Sequence, residues 1–246
     1  MTTTMSIAKR EFRSYFDSPV AYVVICLGLA ALGLVFFNYG GGFWQVDRAS
    51  LRQMFVQLPR GLSWLVIPVV TMRLLAEEKR SGTLEMLITL PVKDHEVILG
   101  KFLGAWGLIV VLIGATAIYP VAMFGWPWDL GVLDFGPVVS GYVGLVLYSG
   151  AAVSVGLFIS SLTDHQMIAF FITFLVLFLL HFLGNSITLS VLPEKAEFVL
   201  SFISFDTRLD SFNRGMINSR DVIYFMSITI GCLFGSFWAL ERRKWL

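Results

Sequence analysis

Residues 166–185 read Gln166-Met-Ile-Ala-Phe-Phe-Ile-Thr-Phe-Leu-Val-Leu-Phe-Leu-Leu-His-Phe-Leu-Gly-Asn185, with no Asp, Glu, Lys or Arg among them. A helix needs roughly 20 mostly apolar residues to cross about 30 Å of hydrocarbon, and this stretch meets that length. Working outward, similar runs lie at about 19–38, 61–76, 102–124, 137–160 and 221–240. The run at 61–76 is short. Leu51, Met54, Phe55, Leu58, Leu62 and Leu65 recur at helical spacing, so either the helix begins earlier or a short external helix precedes it. Pro68 should bend it, because proline donates no backbone hydrogen bond.

Composition agrees. The chain has 246 residues, 57% hydrophobic and 14% charged, with a mean hydropathy of +0.77. Soluble domains carry about 25% charged residues, so a soluble fold could not cover its surface here. The expectation is an all-α integral membrane protein with six transmembrane helices, forming one domain over residues 1–246. The net charge of +1 argues against a nucleic-acid partner. Cys26 and Cys232 both sit in apolar runs and read as buried small side chains rather than a disulfide. No h-region followed by a small-residue cleavage site opens the chain, so no cleaved signal peptide is expected.

Lys and Arg counts set orientation. With the N-terminus inside, the cytoplasmic side holds Lys9, Arg10, Arg13, Arg73, Lys79, Arg80, Lys93, Lys101, Arg242, Arg243 and Lys244, eleven of the 18 Lys and Arg. The outer loops keep the other seven. Both termini are therefore expected in the cytoplasm of a multi-pass protein. Ser18-Pro19 and Ser219 with Asp221 read as starts of the first and last spans, and Asp94 with Glu96 as the start of the third.

Residues 1–18 include an amphipathic helix over 5–16. Met5, Ala8, Phe12, Tyr15 and Phe16 share one face and Lys9, Arg10 and Arg13 the other, as suits a helix at the headgroup boundary. Small residues repeat at four-residue spacing in Gly100/Gly104, Ser140/Gly144, Ala152/Gly156/Ser160 and Gly231/Gly235, which reads as close helix packing inside the chain or on a dimer seam. The external segment 186–220 divides into Glu194–Ile203 and Thr207–Arg214, the latter closed by Gly215. These helices either dip into the outer leaflet or form a lid on the spans.

Catalytic signals are sparse. Gly100-Lys101 lacks the remainder of a P-loop, and neither H-E-x-x-H nor G-x-S-x-G occurs. No His, Cys and carboxylate set has metal-ligand spacing, so no metal or other cofactor is expected on this chain. His181, deep in the fifth span, is an intramembrane candidate, weighed against a neutral imidazole hydrogen-bonded between helices. No cluster of polar residues is expected at one depth, which counts against a membrane enzyme.

The informative polar stretch is the cytoplasmic loop 77–100. After Arg73 it runs Glu77-Glu78-Lys79-Arg80-Ser81-Gly82-Thr83-Leu84-Glu85-Met86-Leu87-Ile88-Thr89-Leu90-Pro91. Gly82-Thr83 should end the outgoing helix and start a short one that Pro91 terminates. Leu84, Leu87 and Ile88 share a face rimmed by Glu78, Arg80 and Glu85, a shape that suits a groove on a soluble partner.

Glu77 to Leu87, the following Leu90-Pro91-Val92 and the Gly100-Lys101 pair resemble the signature of ABC-2 type transporter permeases. Ser211 to Tyr224 and Lys9 to Pro19 are similar to the gliding-motility and nitrous-oxide-maturation branch. The resemblance implies two permease chains with two copies of a separate ABC ATPase that carries ATP and Mg; identical permease chains are the default, since oligomers of like subunits dominate. It makes 77–90 the coupling helix, with contacts at Glu77, Glu78, Arg80, Gly82, Thr83, Leu84, Glu85, Leu87, Ile88 and Pro91. The turn 161–165, with Asp164, becomes a second contact. A bacterial inner-membrane exporter is the implied function. The alternative is an ATP-driven mechanical or assembly subunit acting on periplasmic or membrane auxiliary partners without moving a solute.

Overall fold

The structure, a computed structural model, describes residues 3–17, 19–38, 52–82, 93–124, 135–184 and 194–242. Every regular element among them is helical. In chain order these are α1 (Thr3–Asp17), α2 (Pro19–Asn38), α3 (Arg52–Gly61), a π-helical turn (Leu62–Val66), α4 (Ile67–Thr71) and α5 (Ala76–Arg80). Then come α6 (Asp94–Ala115), α7 (Ile118–Phe124), α8 (Phe135–Leu162), α9 (Gln166–Phe182), α10 (Glu194–Ile203), α11 (Phe205–Asn213) and α12 (Ser219–Arg242).

Among the described residues, four runs are long and apolar enough to cross a membrane: Met54–Arg80, Asp94–Val121, Phe135–Leu162 and Ser219–Arg242. The sequence suggested six. Helix α9 falls short because it has 17 residues, about 26 Å at the usual helical rise. Its expected outer limit, Asn185, lies outside the described residues. Helix α2 has 20 residues, and its Tyr22–Ala31 part meets α1 at 73°. The span limits also move: the second run begins at Met54, as the upstream leucines allowed, and the third begins at Asp94 rather than 102.

Helix α8 is the axis of the bundle, with 78% of its apolar window buried against 11% for α12. Its small residues make this possible, because a helix packed on all sides needs neighbours close to its backbone. A Cβ on Gly156 would clash with Thr71 Oγ1, and one on Gly144 would lie 2.7 Å from Phe212 Cγ. The repeats at 100/104, 140/144 and 152/156/160 thus act within the chain. Gly235 does so too, against Phe158, whereas Gly231 faces open space.

Pro68 was expected to bend the second span. A π turn stands just before it and turns at 72–75 follow it. Amides freed at that break are satisfied by α8, since Leu75 N and Ala76 N both donate to Ser160 Oγ, at 3.2 and 3.1 Å.

Helix α1 is amphipathic as read, and Lys9, Arg10 and Arg13 are exposed. Its inner face is partly different. Ile7 and Glu11 lie in the groove that Gly100 and Gly104 open on α6, while Met5 is 53% exposed. At the opposite end, α11 packs inward and buries Phe205, Leu209 and Phe212. Within 186–220, α11 is thus packed on the long helices. Helix α10 leaves Val199, Phe202 and Ile203 exposed.

Candidate functional site

Two polar constructions stand at opposite ends of the bundle. At the α1 end, Lys101 is 2% exposed and donates to Glu78 Oε1 at 2.7 Å and to Glu11 Oε1 at 3.1 Å. One ammonium thus joins α6, α5 and α1. A charge this deep persists only when paired and hydrogen-bonded, and two carboxylates meet that need. Tyr15 adds a second tie by donating to Val70 O at 3.2 Å. Burial pushes its hydroxyl far above the ordinary value, helped by the Glu11 charge, so the phenol stays a donor.

The same end brings two distant segments together. Lys79 Nζ donates to Ser161 O and lies 3.8 Å from Asp164 Oδ1. Among the sequence-derived contact residues, Glu77 is paired to Arg73 at 3.2 Å. Arg80 and Asp164 are exposed, while Glu78 turns inward to Lys101 instead of standing at a rim. Gly82 has φ 70°, a backbone that ends α5 and strains any residue with a Cβ. Thr83, Leu84, Glu85, Leu87, Ile88 and Pro91 lie outside the described residues.

The opposite end corrects one expectation, that no polar groups gather at one depth. His181 Nδ1 donates to Asp206 Oδ1 at 2.6 Å, and its Nε2 lies 2.9 Å from both Ser63 Oγ and Tyr148 OH. Arg60 Nη2 donates to the other Asp206 oxygen at 2.6 Å. Five side chains from α3, the π turn, α8, α9 and α11 thus form one chain of bonds. Burial alone would raise the Asp206 carboxyl. The His181 hydrogen bond and charge, with those of Arg60, outweigh it and hold the group below the ordinary carboxylate value.

The order Ser63–His181–Asp206 is that of a nucleophile, base and acid. Ser63 is nonetheless fully buried and donates to Pro59 O at 2.8 Å. None of the three cavities near Arg60 is lined by Ser63. The arrangement ties helices together; it does not present a nucleophile. His181 is hydrogen-bonded between helices, and its carboxylate partner is the part that sequence reading missed. Asp206 lies 25 residues away on another helix, and no local spacing pairs them.

A second unforeseen pair fixes α11 to α12. Arg208 Nη1 donates to Asp221 Oδ1 at 3.2 Å with both side chains 8% exposed, and the guanidinium stacks 4.5 Å over the Phe202 ring. Asp221 does stand in the first turn of α12, as read, but its partner is Arg208 as well as the helix dipole. Among the described residues no group of His, Cys, Asp and Glu is arranged to hold a metal ion.

Residues 61–240 match the model of the ABC-2 family transporter proteins. The chain is also 25% identical over 189 residues to an Escherichia coli K12 protein described as a probable multidrug ABC transporter permease, YbhR. The O157:H7 counterpart matches at the same level. That alignment covers 72% of this chain and 48% of the relative, so the chain spans about half the length of the curated relatives it matches. With its long apolar helices and a family match over most of its length, this multi-pass membrane chain belongs to the ABC-2 transporter family.

Proposed function

We propose that the chain is the membrane-spanning permease subunit of an ATP-driven exporter in a bacterial inner membrane, working with a separate ABC ATPase. The observation that supports this reading most is the junction of Lys79 with Ser161 and Asp164, because it joins the roots of the two segments proposed to meet an ATPase. On this reading 77–90 is the coupling helix, and Glu77, Glu78, Arg80, Gly82, Thr83, Leu84, Glu85, Leu87, Ile88, Pro91 and Asp164 form or support the contact. ATP and Mg stay on the partner. Closure of two ATPase subunits pushes on two such permease chains, and the rigid tie through Lys101 to α1 and α6 moves as one piece with the push.

The six-span plan completes the four long runs with α2 and α9, and puts both termini in the cytoplasm. Support comes from the Lys and Arg asymmetry and from the apolar length of both helices. The segments 9–19 and 211–224 support membership of the gliding-motility and nitrous-oxide-maturation branch. The mechanical alternative, force on periplasmic partners, is favoured by one feature: the α10 face with Val199, Phe202 and Ile203 stands exposed above a firmly anchored α11. Reconstitution with the copurifying ATPase separates the two. An exporter accumulates a labelled solute in inverted vesicles, whereas a mechanical unit hydrolyses ATP, moves none and retains an auxiliary protein on α10.

A further inference from the structure

Three cavities converge on Arg60. A cleft of about 270 Å³ is shared with Asp206 and Asp210. A pocket of about 140 Å³ is walled by Trp64, Phe178 and Phe182. A slot of about 170 Å³ runs between α2 and the second span, past Gly28, Ala31 and Trp64. Trp64 stands between the last two, 5.8 Å from the Phe178 ring, and is 42% exposed on the surface of the long apolar run Met54–Arg80.

Arg60 therefore places a cation where two apolar compartments end. A guanidinium has five N–H donors, and among the described residues Arg60 commits Nη2 to Asp206. Asp206 is not dependent on that bond, because His181 Nδ1 holds its other oxygen at 2.6 Å. It can release Arg60 and stay paired. We infer that Arg60 receives the headgroup of an anionic membrane lipid, whose chains lie along the slot and the aromatic pocket beside Trp64, with Asp206 as the internal carboxylate that the headgroup displaces. Displacement also removes a link between α3 and α11, so lipid entry loosens the lid.

This deepens the permease reading by naming a ligand class, and it rests on that reading only for what the lipid then does. The test therefore uses the full chain alone, in phosphatidylcholine nanodiscs without an ATPase. Brominated phosphatidylglycerol or brominated phosphatidylcholine is introduced, and the Trp64 signal is taken as the difference between the protein and its Trp64→Phe variant. Phosphatidylglycerol should be preferred at Trp64 by about tenfold, the scale of one charge-assisted contact. Arg60→Gln should abolish the preference, and Asp206→Asn should raise it severalfold by removing the competing carboxylate. Lys9→Gln, which removes an exposed charge on α1 at the opposite end of the bundle, should leave it unchanged. The assignment is overturned if Arg60→Gln keeps the preference, if Asp206→Asn lowers it, or if Lys9→Gln abolishes it as Arg60→Gln does. It is equally overturned if dodecyl phosphate binds beside Trp64 while phosphatidylglycerol shows no preference.

Discussion

The Lys101 ammonium donates to Glu78 Oε1 at 2.7 Å from a side chain that is only 2% exposed. The base of the proposed coupling loop is thereby fastened to α6, and through Glu11 to α1. Lys101→Met should leave two carboxylates without their cation, at a cost of about 3 kcal/mol. The variant should melt lower in detergent, and trypsin should cut faster at Lys9, Arg10 and Arg13 as α1 lifts away. Adding Glu78→Gln should recover part of the loss.

Asp206 should set the acid limb of stability. Its carboxyl is lowered from 3.8 in the folded protein, so ionised Asp206 stabilises the fold above the unfolded value. That contribution is lost as pH falls through the still lower folded value. Melting temperature should therefore fall steeply below about pH 4. Asp206→Asn should melt lower at pH 7 and show a flatter acid limb. A wild-type acid limb retained in Asp206→Asn would place the titrating group elsewhere.

Gly156 and Gly231 look alike in sequence and should behave oppositely. A Cβ at 156 would clash with Thr71 Oγ1, so Gly156→Ala should cost about 1–3 kcal/mol by prising α8 from α4. Nothing lies within 4 Å of a Cβ at 231, so Gly231→Ala should be neutral or stabilise by up to about 1 kcal/mol through helix propensity. Thermal unfolding of both variants decides it.

Orientation is open to thiol labelling in a cysteine-free background. Cysteines at positions 38, 134 and 195 should react with an impermeant reagent on intact cells. Those at 80, 164 and 244 should react only after permeabilisation. Reaction at position 80 in intact cells would invert the topology.

Much of the fold was legible because lipid imposes a simple rule on length and hydropathy, and α6, α8 and α12 obey it. Local chemistry was legible as well: Gly215 closes α11 with φ 87°, and Glu194–Ile203 forms the helix read there. Illegible were the partners of buried charges. Lys101 and Glu11 are 90 residues apart and Arg60 and Asp206 are 146 apart, separations that carry no periodic signal. Lys101 reads in sequence only as one of the cytoplasmic-side cations and Asp206 carries no local motif, yet each joins several helices.

The central claim, that loop 77–90 transmits work from a separate ATPase, is tested most directly by purifying the tagged chain from its native membrane. Leu84, Leu87 and Ile88 should each contribute roughly 1.5–3 kcal/mol when buried in a partner. Wild type should bring down an ABC ATPase subunit and hydrolyse ATP. Leu87→Asp should insert normally and lose the subunit, or keep it without coupled transport. An intact, ATP-hydrolysing, transporting complex carrying Leu87→Asp, or a wild-type chain that brings down no ATPase, would contradict the account.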